Sequence, residues 1–269
     1  SNVAVGYNAL ATTTTTSGNV AVGTNAMSSN AAGSNNVAVG FMAMQSNDGG
    51  SNNVGLGYEA LQDNDDGNQN IAIGYRACNK TTGSDNMAIG PHALETNVSG
   101  GNNIAIGSSA LTANTASGNI GIGVNALTAN VAGSQNTAVG TGAMTANVSG
   151  ILNTAIGSNA LAKESGNYNT AVGANSLSHA ISPGANNTAV GTSSLNHTTS
   201  GANNVAMGLN ALYTNATGNS NTAVGTYAGN VATGANNTFL GANAGTTSSA
   251  MNVTTESNKA VLFNNTTTD

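Results

Sequence analysis

A five-residue phrase recurs fifteen times along this chain: Asn, an apolar residue or Thr, usually Ala, an aliphatic residue or Met, then Gly. Asn2-Val3-Ala4-Val5-Gly6 and Asn103-Ile104-Ala105-Ile106-Gly107 are two instances. The closing Gly runs from Gly6 to Gly241 with a period of 17 residues and slips to 16 or 18. The three residues before each Gly predict a short strand, with large side chains on one face and Ala or Gly on the other. Both faces are expected to be buried, the Ala face tightly. Three and four residues after the key Gly come Ala or Ser and then Leu or Met, as in Ala9-Leu10 and Ala126-Leu127, and a second Gly often stands seven residues before the next key Gly, as at Gly33, Gly50 and Gly67. This predicts two strands per repeat joined by two turns, each turn using Gly where φ is positive or space is short. The polar stretch from Leu to the second Gly, such as Thr112 to Ser117, predicts an outer loop.

A period this short leaves no room for a helix pair and means one solenoid turn per repeat. The expected fold is all-β: a parallel β-solenoid, or β-roll, of about fifteen coils of 16 to 18 residues over residues 1–245. Residues 246–269 form an exit segment with one short strand. Fifteen coils stacked at about 4.8 Å make a rod of roughly 70 Å.

Four residues before every key Gly stands Asn: Asn2, Asn19, Asn36, Asn53, Asn70, Asn86, Asn103, Asn119, Asn136, Asn153, Asn169, Asn187, Asn204, Asn221 and Asn237. Equivalent amides one coil apart can donate and accept hydrogen bonds along a stack, so this column predicts a structural ladder. The N-x-S/T triplets at Asn97 and Asn147 follow from an Asn- and Thr-rich composition and carry little information.

Composition narrows the function. Charged residues make up 5% of the chain, aromatics 3%, and Trp is absent. A net charge of -6 with four basic residues excludes nucleic acid and anionic membrane surfaces as natural partners, and no apolar run suits membrane insertion. The single Cys78 sits in the column that elsewhere holds Leu10, Leu61 and Leu94, which makes it core filler. No cofactor motif is present, and the scattered acids form no pair at a shared register, so the chain does not read as an enzyme. A ring filled with Ala, Val and Thr buries little apolar area, and a further buried face, formed by the Ala-centred strand around an axis, would supply what one ring lacks.

A few columns break the monotony. His179 and His197 lie six residues after their Gly in successive coils, which allows either a metal-binding ladder or solvated loop histidines. Seven of the ten acids lie between Asp48 and Glu95. Asp48, Asp65 and Asp66 are either a Ca²⁺ site or solvated acids, without EF-hand spacing. Glu59, Arg76 and His92 share one column and Asp63 stands over Lys80 in another, which reads as surface ion pairing. Tyr7, Phe41, Tyr58 and Tyr75 follow their key Gly directly, an aromatic stripe that either stacks against receptor sugars or packs a turn or subunit interface. Variation on a rigid scaffold marks binding, so Tyr58, Glu59, Asp63, Tyr75, Arg76 and Lys80 are the candidate receptor contacts. Thr137, Thr154, Thr170 and Thr188 form a column that an ice-binding surface would need exposed; its Val and Ile counterparts in earlier coils suggest burial instead.

The phrases Asn136-Thr137-Ala138-Val139-Gly140 and Asn221-Thr222-Ala223-Val224-Gly225 resemble the arrays in tail-fibre proteins of bacteriophages and large viruses. They are more distantly similar to the head repeats of trimeric autotransporter adhesins, whose coils are shorter. The closing stretch Glu256 to Phe263 resembles the exit from such arrays, ahead of a terminal module that in many relatives is a self-cleaving trimerisation chaperone. The resemblance implies a homotrimer of parallel β-solenoids on the virion surface, joined to other fibre or baseplate proteins and meeting a host-surface glycan or protein. The alternatives it allows are a bacterial cell-surface adhesin and a self-assembling extracellular filament. It carries no catalytic residue onto this chain.

Overall fold

The computed structural model describes residues 1–12, 15–163, 166–179, 184–246 and 255–262. Residues 247–254 and 263–269 of the expected exit segment, Phe263 included, lie outside the described residues. The fold is an all-β parallel β-solenoid with no helix among the described residues. It divides into two units, Ser1–Gln135 and Asn136–Asp269.

In the first unit eight strands stack in chain order, from Val3–Val5 through Val20–Val22, Val37–Val39 and Val54–Leu56 to Ile71–Ile73, Met87–Ile89, Ile104–Ile106 and Ile120–Ile122. Each is parallel to the next and in strict register, so Ala21 sits over Ala38 and Gly55 over Ala72. The second unit repeats the plan from Thr137–Val139 to Thr238–Leu240 and adds Ala260–Leu262. That exit strand continues the sheet, with Thr238 paired to Ala260 and the Thr238 N–H donating to the Lys259 carbonyl at 2.7 Å.

The strand centres face inward. Ala38 and Ala72 are fully buried, whereas the flanking Val39 and Ile73 are 40% and 37% exposed. The direction follows from Gly55, where an added Cβ would lie 3.0 Å from Cγ of Met44, a member of the Leu/Met column. Each coil is thus its own core: small strand centres on one side, Leu or Met on the other. Within the single chain only the Ala face of the strand is buried, so any further buried face around an axis is made by the large residues and not by Ala. The large residues of the strand point out, and the Thr column of the second unit, expected to be buried, is half-exposed beside them.

The predicted second strand does not form in most coils. On that side, among the described residues, only Asp63–Asn64 and Lys80–Thr81 pair as strands, extended by isolated bridges Ser29–Ser46 and Ser46–Asp63. In these coils as in the others, the chain takes positive φ two and four residues after the key Gly, as at Glu59 (52°) and Leu61 (51°). The Leu61 N–H then donates to the Ala77 carbonyl at 3.0 Å and the Glu59 N–H to Phe41 at 2.9 Å, so alternate residues reach opposite neighbouring coils. A left-handed Leu costs on the order of 1 kcal/mol, and burying its side chain returns about 1.5–3 kcal/mol, so the strained turn is stable.

The core tolerates one inversion. Phe239 replaces Ala at a strand centre, while Gly229 and Gly245 replace the Leu of their coils. An added Cβ at Gly229 would lie 2.6 Å from Cδ2 of Phe239, so the ring occupies the volume that Leu fills elsewhere.

Cys78 is fully buried, as its column predicts, and desolvation pushes its thiol up to about 12. The native thiol therefore stays protonated and is expected to resist alkylation at pH 8, reacting only when the coil opens. Above the unfolded value of 9.0 the unfolded state loses this proton first, so stability falls from there up to about 12. Cys78→Leu is expected to remove that part of the alkaline loss, checked by urea melts between pH 8 and 11.

Candidate functional site

The Asn column is a ladder, with a different bond pattern from the one expected. The side-chain oxygen of Asn36 accepts the backbone N–H of Asn53 at 2.8 Å, and its amide donates to the Gly50 carbonyl at 2.8 Å. The same oxygen-to-backbone bond joins Asn2 to Asn19, Asn53 to Asn70 and, in the second unit, Asn153 to Asn169 and Asn204 to Asn221. Lys259 takes the next place, its N–H donating to Asn237 at 2.9 Å. Asn36, Asn53 and Asn204 thus each satisfy two backbone groups of the neighbouring coil instead of only another amide. Asn36 through Asn237 have structural work at these bonds, so they leave recognition to other columns.

A second Asn column was hidden in the expected outer loop. Asn30, Asn47, Asn64, Asn97, Asn114, Asn130 and Asn147 are fully buried. Here amide does meet amide: Asn47 donates to Asn30 at 2.8 Å and Asn64 to Asn47 at 2.7 Å, while each also donates to the nearby second Gly. Asn97 and Asn147 of the N-x-S/T triplets belong to this interior column and bond to Gly100 and Gly150.

The coils from Gly40 to Gly90 bring the expected surface residues together. Phe41, Tyr58 and Tyr75 stack with centroids 5.2 Å apart at each step, and His92 meets Tyr75 edge-on at 5.1 Å. Both ring faces of Tyr58 are therefore covered by neighbouring rings, which removes the flat face that a sugar would stack upon. Beside the stack, Arg76 lies between two carboxylates, with Nε 3.2 Å from Glu59 and Nη1 2.9 Å from Glu95. Glu95 also meets His92 Nδ1 at 2.9 Å. The Tyr58 hydroxyl is held above its ordinary value chiefly by its hydrogen bond to Glu59, with desolvation and the nearby carboxylate charge adding to it.

Sequence reasoning missed Glu95 and the amides in its column. Gln62 donates to Gln45 at 3.1 Å and the buried Asn79 to Gln62 at 3.1 Å, an amide ladder in the column that Glu95 continues. The signal was present, since all four lie five residues after their key Gly. Asp63 and Lys80 are in register on their two-residue strands, but the ion pairs among the described residues of these coils all involve Glu95 or Arg76. The site offers carboxylate, guanidinium, amide and phenol groups along one side of the coil, suited to hydrogen-bonded recognition.

Asp48, Asp65 and Asp66 are exposed. Their backbone carbonyls accept from Ala32, from Gly49 and from the Asn68 side chain respectively. His179 and His197 stack face to face at 5.2 Å and 9°, and Tyr213 closes the run edge-on at 4.5 Å. Imidazole lone pairs lie in the ring plane, so two parallel rings direct them alongside each other and not toward one shared ion. Among the described residues no group of three or more His, Cys, Asp or Glu side chains is placed to hold a metal ion.

No protein-family model matches the chain, and no curated protein matches it.

Proposed function

We propose that this chain is a structural fibre protein: a homotrimeric tail-fibre or spike component that projects from a virion and attaches it to a host surface. The observation that supports this reading most is the outward sheet face. One coil plan repeats through each unit while Val39, Ile73, Ile156, Met207 and Leu240 stay about 40% exposed, and exposed apolar columns of this regularity suit association with further copies. The partners are then the chain itself, neighbouring fibre or baseplate proteins, and a host-surface glycan or protein met by the Glu59, Arg76 and Glu95 side of the Gly40 to Gly90 coils. A bacterial cell-surface adhesin would use the same features. Electron microscopy with an antibody to this chain, applied to particles and cells of the source, tests the reading. Label on fibres projecting from particles is the expected result, and label confined to the cell interior overturns it.

Ice binding is a second reading, favoured by the outward position of Thr137, Thr154, Thr170 and Thr188. The column is one residue wide and flanked by Val139, Ile156, Val172 and Val190. Thermal hysteresis of the purified chain decides it.

A further inference from the structure

The sheet face of the Ser1–Gln135 unit is nearly uniform, and the aromatic stack stands at its border. Its two outward strand columns hold only Val, Ile, Leu and Met across eight strands. The corner column, one residue beyond each key Gly, runs Tyr7, Thr24, Phe41, Tyr58, Tyr75, Pro91, Ser108 and Val124. None of these positions is charged, in the unit that carries seven of the chain's acids between Asp48 and Glu95. Two copies can therefore bring identical faces together without like-charge repulsion. From strand start to corner the face is about 16 Å wide, and eight coils at about 4.8 Å make it about 38 Å tall. That is roughly 600 Å² per copy, so two copies bury about 1,200 Å², the lower end of a stable interface.

Uniformity creates a problem of register. When every coil offers the same Val and Ile pair, a face shifted by one coil, about 4.8 Å, makes almost the same contacts. Shifted copies have staggered ends, and staggered contacts propagate as an open fibre instead of closing into a symmetric ring. The corner column is where the coils differ. Phe41, Tyr58 and Tyr75 form a block of three stacked rings, each 39–47% exposed, bounded by Thr24 on one side and Pro91 on the other. In register the block meets its own copies; one coil out, an end ring meets Thr24 or Pro91.

We infer that the Phe41, Tyr58 and Tyr75 stack is the register key of a closed assembly of this chain. The inference rests on the self-association proposed above and assigns these rings to alignment between copies, in place of receptor binding. Its test uses the full chain with Cys78→Ala and a spin label on Thr24→Cys. Pulsed electron-spin distance measurement is expected to give one narrow distance between copies. Adding Phe41→Thr, Tyr58→Thr and Tyr75→Thr should leave the copies associated but spread that distance toward longer values, because each shift by whole coils of about 4.8 Å adds in quadrature to the in-register separation. A single narrow distance in that variant overturns the inference, and so does its dissociation to monomers, because the rings would then supply affinity and not alignment. A parent chain that is itself monomeric overturns the self-association beneath it, which is a separate failure. Should circular dichroism show the triple variant unfolded, Tyr58→Thr alone is expected to introduce a second distance, and one unchanged distance overturns the inference.

Discussion

Gly140→Val is expected to lower the stability of each chain by about 4 kcal/mol, from roughly 1–3 kcal/mol of backbone strain and a similar overpacking cost. Gly140 has φ of 137°, a conformation that β-branched side chains hardly adopt. A Cβ there would also stand 2.5 Å from the carbonyl oxygen and 2.6 Å from the carbonyl carbon of Gly157 in the next coil. Those atoms are backbone and cannot swing aside, so the coils must separate locally. Urea unfolding of the variant, followed by circular dichroism, should show a lower midpoint. The second Gly of a coil fails for a different reason: Gly201 has no left-handed φ, yet a Cβ would stand 2.5 Å from the Gly218 oxygen. An unchanged midpoint for Gly140→Val would mean that adjacent coils are not in contact at this turn.

Asn53→Ala should destabilise the chain by about 1–3 kcal/mol. The side chain is fully buried, accepts the Asn70 N–H at 2.8 Å and donates to the Gly67 carbonyl at 2.8 Å. Its removal leaves the buried Asn70 N–H unpaired, which costs about 1–3 kcal/mol, while the Gly67 carbonyl keeps the Asn64 amide at 2.9 Å. Asn2 is the matched control. It is exposed, and its substitution by Ala should cost less than about 1 kcal/mol, because water can replace its bond to Asn19. Equal urea midpoints for the two variants would show that the ladder does not hold the interior coils.

The first strand and its key Gly were legible because two independent constraints, alternation and a positive φ, recur at the same spacing. The Asn ladder was legible as a column, but spacing does not reveal that the amide bonds to backbone. The second strand was misread because residues such as Leu94 and Leu111 take left-handed φ without the Gly or Asn that signals it. Polarity misled at Asn114, which belongs to a buried ladder although its neighbours Thr112 and Ser117 are polar and not fully buried. Alternation places Val39 and Ala38 on opposite faces without saying which one is inside. Here the interior is set by the Leu and Met of the same coil, which leave room only for Ala. At the candidate site the charges Glu59 and Arg76 stood out, whereas Glu95 was masked because Gln45, Gln62 and Asn79 share its column without its charge.

In the proposed fibre, further copies of the chain cover the outward Val and Ile columns. Light scattering on the purified protein at micromolar concentration measures this directly. A chain of 26.1 kDa that forms a homotrimer gives a mass of about 78 kDa, three times 26.1, and Val39→Asp with Ile73→Asp should reduce that mass while the circular dichroism spectrum is retained. A folded parent chain that scatters as a single 26.1 kDa species would show that no further copy covers these columns.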